Sequence, residues 1–580
     1  MDRRHRRLEA GTRDKRWLGG VMVALAAGAV AVVPAQVASA TAGHTFYVNS
    51  PTDTGSVTDC TTSTNTDCGI DDAVAAFNAD TTPNDADTIV FNSSIAIFTV
   101  STPTAINNTT SGVTLAINGS GASATTVSGG TINQVFDIAT GTTVTISGLT
   151  IEKGSATFGG GIYNGGTTTV TDSTLSGNSA SFGGGIMTWS GATMTVTDST
   201  LSDNSATGAG QGDGGGIYNL DGTLTVTDTT LSGNSAAGTE EGGGGIVAAE
   251  GTTAVTDTTL SGNTAVYAGG GILGVEGTLA VTDTTLSGNI AGDYGGGIFE
   301  ELNTTTVTNS TLSDNSAGDL GGGMLDNGDA TTVTDSTLSG NRSGASGGGG
   351  IDNYMGELDY NPGTTTLGAT IVANSGTSGG DCAGTITDAG YNIDSDGTCG
   401  FSATGSISDS AHLDASLGTL QNNGGPTDTI LPASTSPAVG VIPSPTTVNG
   451  VQVCPRADQR GVASVGKCTI GAVEGVFRIA IASLPDASPA TAYGPVTLTT
   501  QDAGVSTSPS VTSLKWKKVS LPKGLKLSKT GVLSGTPSKR LTAGTSSVKV
   551  SVTETVSTRS GTKKVKTKTT VQATIPLTIT

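Results

Sequence analysis

The residues of this chain whose types and spacing could do chemistry are acidic: Asp172, Asp198, Asp228, Asp257, Asp283 and Asp335, each preceded by Val-Thr. If the copies that carry them stack, carboxylates about 4.8 Å apart repel one another. A Ca²⁺ ion, bound through oxygen, would relieve that repulsion. These six are therefore candidate calcium ligands, and structural Ca²⁺ is the one cofactor the sequence suggests. Solvated corners with screened charge account for the same series without an ion, and Asn309 takes a place in it without interrupting it. Acid–base chemistry finds few other groups. No His lies between residues 45 and 411, and the repeats offer only Lys153 and Arg342 as cations. Asp394-Ser-Asp396-Gly is a fragment of a calcium-loop pattern without its Glu and reads as a turn. No catalytic constellation is visible.

The six cysteines that follow residue 40 form three near-neighbour pairs: Cys60 and Cys68, Cys382 and Cys399, Cys454 and Cys468. No C-x₂-C spacing is present for zinc, and the only His residues after residue 40 are His44 and His412. Neighbour pairing into three disulfides is the expectation, out of 15 possible connectivities. It suits an exported protein. The first 40 residues read as a secretory signal: seven Lys/Arg, the apolar run Leu18–Val33, and a cleavage site at Ala38-Ser39-Ala40. No transmembrane segment is expected after cleavage, and the localisation expected is extracellular or cell-surface.

What must position these groups is a repeat. Leu-Ser-(Gly/Asp)-Asn recurs at Asn178, Asn204, Asn234, Asn263, Asn289, Asn315 and Asn341, at intervals of 26 to 30 residues. A looser copy ends at Asn374. Between them runs Gly-Gly-Gly-apolar, ending at Ile162, Ile186, Ile217, Ile246, Ile272, Ile298, Met324 and Ile351. Thr, Val and Ile alternate at period two and nothing has helical spacing, so each copy is a set of short strands. In Thr223-Leu-Thr-Val-Thr227, Leu224 and Val226 share one face, but Leu231 lies an odd step beyond Val226. The chain must bend between them, where Asp228 sits, and Asp tolerates corners. The fold class expected is all-β: a right-handed parallel β-helix of the pectin-lyase-like kind, one copy per coil. Leu231, Leu260 and Leu286 would then stack inside, and the asparagines would form a ladder. The 88 glycines mark corners that turn with positive φ or let backbones approach. A β-propeller fits less well, because blades of ~40–45 residues do not match a 26-residue unit.

Several segments resemble known families. The repeats resemble the GGA-I/L/V and F-x-x-N repeats of polymorphic outer-membrane proteins, with Leu for Phe and Gly for Ala. Cys68-Gly-Ile-Asp-Asp-Ala-Val74, then Asn78 and Asp87-Thr-Ile-Val-Phe91, resembles the CSLREA module, with Asp71 where that family has Arg. Ile70, Ala73, Val74 and Phe77 suggest a short amphipathic helix there that caps the solenoid. Gly390-Tyr-Asn-Ile-Asp394, Leu420-Gln-Asn-Asn-Gly-Gly-Pro426, Cys454-Pro-Arg-Ala-Asp-Gln-Arg-Gly461 and Ile470-Gly-Ala-Val-Glu474 resemble the choice-of-anchor Q domain. Leu521-Pro-Lys-Gly-Leu525 and Thr530-Gly-Val-Leu-Ser-Gly-Thr-Pro537 resemble the bacterial putative-Ig family, which implies a small β-sandwich. The expected organisation is a signal peptide at 1–40, a CSLREA-like cap at 41–105, β-helix repeats at 106–365, a choice-of-anchor Q-like part at 366–476 and an Ig-like module at 477–580.

Charge separates these parts. Residues 41–480 hold six basic and 42 acidic residues, whereas 481–580 hold 14 basic and three acidic. The acidic body excludes nucleic acid as a partner. The basic module could meet anionic cell-wall polymers, or be a soluble stalk. Parallel β-helices also include pectate lyases and polygalacturonases, but the R-x-P-x-x-R and Gly-His-Gly elements of those enzymes are absent from the repeats. The expected function is a monomeric, non-catalytic secreted or surface solenoid that binds an extracellular glycan or protein, or serves as a scaffold. The alternative is a polysaccharide lyase or glycoside hydrolase on the same fold.

Overall fold

A computed structural model describes residues 41–580 except 54–59, 65–66, 209, 211–212, 240, 329, 345–346, 354–362, 376–378, 411–412, 414–415, 434–435, 444–445, 449, 456, 463–466, 475–477, 481–483, 502–510, 543, 561–562 and 580. The expected signal peptide lies outside the described residues.

The repeats wind into a parallel β-helix because each copy carries the same short strands and the same corners. A long-strand sheet of 13 strands runs from Thr41–Val48 through Thr223–Thr227 to Ile386–Asp388. A leucine sheet of 12 strands includes Thr230–Ser232, and an isoleucine sheet of 11 includes Ile246–Ala249. A fourth sheet of seven very short strands, among them Ser235–Ala236, lies between the asparagines and the Gly-Gly-Gly steps. Register is unbroken from coil to coil: Val226 pairs with Val196 and Val255, and Leu231 with Leu201 and Leu260. The inward side chains form one continuous core in which Leu231, Leu260 and Leu286 are fully buried.

The asparagines form a saturated ladder inside this core. Asn204 Oδ1 accepts from the backbone N–H and Nδ2 of Asn178 at 3.1 and 2.9 Å. Its own Nδ2 donates to Leu175 O and to Asn234 Oδ1. Two donors and two acceptor sites are thus used on each interior rung, which is the full capacity of the amide. The same pattern continues through Asn263, Asn289 and Asn315 to Asn341.

Each Gly-Gly-Gly step has two separate needs. Its first glycine is left-handed, as at Gly243 with φ 77°. A side chain on the second or third would enter the next coil: a Cβ on Gly244 would stand 2.5 Å from Gly270 O. In the longer copy that follows Ser205–Ala206, more residues separate this fourth-sheet strand from the next glycine step.

At the N-terminal end a helix, Ile70–Asn78, buries Ile70, Ala73, Val74 and Phe77 in the core of the first coils. Its Asp71 accepts hydrogen bonds from Thr102 and Thr104 and faces Asp53, whose carboxyl is pushed up to about 6 by burial and by Asp71.

After the last coil the chain returns over the leucine sheet. A two-stranded hairpin, Leu417–Gln421 with Thr429–Pro432, is followed by Ala457, Gln459 and Ala472, and these residues together with Thr427 lie on the coils at 283–337. The disulfides Cys60–Cys68, Cys382–Cys399 and Cys454–Cys468 pin the cap and this returning segment, with Cα separations of 5.1, 4.8 and 5.7 Å.

The C-terminal module has antiparallel sheets, one of them formed by Val511–Ser520, Gly544–Ser560 and Lys563–Ile579. Trp516, Leu533, Val550 and Ile575 fill its core.

Candidate functional site

The predicted acidic series is a row of corners. Asp172, Asp198, Asp228, Asp257, Asp283, Asn309 and Asp335 all have φ between 48° and 51°, the left-handed conformation that Asp and Asn adopt with little penalty. One left-handed residue per coil supplies the bend that the odd step from Val226 to Leu231 demands. Asn309 keeps the row intact because it meets the same backbone need. Each coil presents its carboxylate singly, and among the described residues no three members of the row meet at one point.

The row nevertheless changes character along the solenoid. Asp172, Asp198 and Asp228 are exposed, Asp257 and Asp283 are half-buried, and Asp335 is buried. The cause is the returning segment. Gln459 inserts its side-chain amide between coils: Nε2 donates to Thr284 O, Thr285 Oγ1 and Thr427 Oγ1, and Oε1 accepts from Thr311 Oγ1. Buried Arg460 is held by Asp458 and by Glu474 O. Ala472 N–H donates to Thr337 Oγ1. The Ala-Asp-Gln-Arg-Gly motif is therefore a clamp onto the coils. Under it a groove of about 570 Å³ is lined by Asp257, Asp283, Asn309, Pro426 and Asp458. Burial there, with Asp257 and Asp458 nearby, pushes the Asp283 carboxyl up to about 6. Burial, with Glu474 adding to it, holds Asp335 well above the usual carboxylate range.

Asp394 and Asp396 also serve the backbone. Asp394 accepts from Cys399 N and Asp409 N, and Asp396 from Asp381 N and Thr398 N.

The feature with the form of a binding site lies elsewhere, on the outer side of the isoleucine sheet. Strand alternation that buries Ile162, Ile186 and Ile217 turns the next residues, Tyr163, Met187 and Tyr218, outward in register. They lean over the left-handed glycines, which have no Cβ to obstruct them: one built on Gly214 would meet Tyr218 Cβ at 2.8 Å. The residues just before those glycines, Phe158 and Phe182, pair in the fourth sheet and stack at 5.5 Å. Trp189 closes the group, 5.9 Å from Phe158 and 6.3 Å from Tyr163, and Phe182 meets Tyr218 edge-on at 5.8 Å. Phe158 is 38% and Trp189 39% exposed. The result is an aromatic surface spanning three coils. An apolar strip, including Val247, Leu273, Phe299 and Leu325, continues from it.

An exposed acidic stripe, Asp221, Glu250 and Glu276, borders this surface and lines a shallow groove of about 430 Å³. Ser190 Oγ donates to Asp221 at 2.7 Å. Contiguous exposed rings flanked by polar groups mark a recognition surface. Their apolar faces suit the C–H faces of sugar rings or a partner's apolar side chains.

Sequence reasoning misses this surface because aromatic residues are sparse and fall no more than two to a copy. Their signal is positional: Phe158 and Phe182 each precede a Gly-Gly-Gly step, and Tyr163 and Tyr218 each follow the Ile that ends one.

The basic module shows its cations outward. Lys515, Lys517, Lys518, Lys523, Lys526, Lys529, Lys539, Arg540 and Lys549 are all exposed. Among the described residues no helix is long and apolar enough to cross a membrane. No curated protein matched the chain. Residues 478–575 match the family model described as Putative Ig domain, and the C-terminal module is similar to that family.

Proposed function

We propose that this protein is a non-catalytic, secreted or cell-surface β-solenoid that binds an extracellular glycan through the aromatic surface of its N-terminal coils. The observation that carries this reading is the ring group Phe158, Tyr163, Phe182, Trp189 and Tyr218, assembled from three successive coils with two rings substantially exposed. The acidic stripe beside it and the excess of 36 negative charges over residues 41–480 disfavour polyuronates and other anionic polymers. They favour a neutral or N-acetylated sugar chain. Three disulfides fit an oxidising compartment. The exposed cations of the Ig-like module suit contact with an anionic cell-wall polymer, which would hold the protein at the surface while the solenoid reaches its ligand. The CSLREA-like and choice-of-anchor Q-like motifs support the same surface setting.

The test is a fluorescence and calorimetric titration of the mature protein with neutral oligosaccharides, repeated on Trp189→Ala and Phe158→Ala. Saturable binding that each variant weakens at least tenfold supports the proposal. Binding that survives both substitutions overturns it.

A further inference from the structure

We propose that His44, Asp80, Asp85 and Asp87 form a divalent-metal site of the zinc class that fastens the first strand to the cap. Three separate elements bring these side chains together. His44 lies on the first strand, Thr41–Val48, and Asp80 follows the helix Ile70–Asn78. Asp85 and Asp87 open the second strand, Asp85–Phe91. Strand alternation puts Asp85 and Asp87 on the face that continues inward as Ile89 and Phe91. Two carboxylates thus occupy positions where apolar residues would be expected. One ligand atom from each of the four residues lies within 4.8 Å of all the others.

The separations suit a common ion. His44 Nδ1 stands 3.0 Å from Asp80 Oδ2, 3.3 Å from Asp85 Oδ2 and 3.5 Å from Asp87 Oδ1. Ligands bonded at ~2.1 Å to a tetrahedral ion are about 3.4 Å apart. Charge calls for a cation as well. The Asp85 and Asp87 side chains are 1% and 0% exposed, and among the described residues the one basic group paired with the three carboxylates is an imidazole that is 55% exposed. Buried carboxylates persist when paired or metal-bound. The independent sign of a missing partner is Asp87. Its Oδ1 accepts from the His44 backbone N–H at 2.8 Å, but its fully buried Oδ2 has no hydrogen-bond partner. One nitrogen with three carboxylates suits Zn²⁺ or Mn²⁺, whereas Ca²⁺ takes six to eight oxygens. The exposed side of His44 leaves room for a water ligand.

The site is distinct from the acidic row and from the aromatic surface, so its failure would leave the proposed function standing. The experiment uses the full mature chain, stripped with chelator and titrated calorimetrically with Zn²⁺, and in parallel arms with Mn²⁺ and Ca²⁺. The expected result is one equivalent of Zn²⁺ bound at micromolar Kd or tighter, with a rise in melting temperature. His44→Ala and Asp87→Asn should each weaken binding at least tenfold, while Asp172→Asn changes nothing. Co²⁺ should give the visible absorption of a four-coordinate nitrogen–oxygen site in the wild type alone. His44→Ala, at a half-exposed position, keeps the test readable if Asp87→Asn fails to fold. No saturable Zn²⁺ binding, affinity unchanged by His44→Ala, or preference for Ca²⁺ would each overturn the proposal.

Discussion

The two ends of the acidic row share a sequence and a backbone conformation and differ in their chemistry. At Asp172, Asp198 and Asp228 the corner carboxylate stands in solvent. At Asp283, Asn309 and Asp335 the returning segment covers the same corner. The repeat dictates the left-handed turn, and the cover decides the protonation. Asn309 shows the rule at one residue. Its Nδ2 donates to Ala457 O at 3.0 Å, a contact that a carboxylate could make only by taking up a proton.

The sharpest way to break this comparison is Asn309→Asp. It sets a buried carboxylate against a carbonyl and should cost about 3 kcal/mol, whereas Asp198→Asn at the bare end should stay within about 0.5 kcal/mol. Chemical denaturation of both variants measures the difference. Gln459→Ala follows, at roughly 2 kcal/mol, because it strands Thr311 Oγ1 and removes the donor shared by Thr284 O and Thr285 Oγ1. Hydrogen exchange should then quicken over residues 283–337 and stay unchanged over 172–231.

The pH dependence comes next. Asp283 has its folded pKa raised from 3.8 to about 6, so folding takes up a proton between those values. The stabilisation is complete below about pH 4 and is lost as pH rises through 6, on the order of 2 kcal/mol after allowing for its partial exposure. Asp335 adds to it in the same direction. Asp283→Asn should flatten the stability curve between pH 4 and 7 and raise stability at pH 7. A smaller effect is expected of Asp228→Ala, which replaces the short polar side chain that tolerates the left-handed corner and should cost about 1 kcal/mol. Ala369, at φ 49°, shows that the position accepts alanine.

The solenoid was legible because its determinants are local and periodic. The odd step to Leu231, the repeated Asn and the glycine triplets each state a backbone requirement that every coil meets. The disulfides were legible from proximity. The covered end of the row was not, because the contacts of Gln459 with Thr284, Thr285 and Thr311 span about 150 to 175 residues and leave no periodic trace. The aromatic surface escaped for a different reason. Outward-facing strand positions are expected to be polar, and here left-handed glycines make room for rings on that side. In the sequence His44 stands too isolated to suggest a metal site. Its partners are carboxylates 36 to 43 residues away, and only the folding of the cap brings them to it.

The central claim is that this solenoid holds a sugar chain without altering it. Incubating the mature protein with a panel of neutral, N-acetylated and acidic polysaccharides, with and without Ca²⁺, and measuring both the bound fraction and any new reducing ends or unsaturated products tests it directly. The account predicts retention on a neutral or N-acetylated polymer with no product formed. Release of products at enzymatic rates, or retention confined to polyuronates, would contradict it.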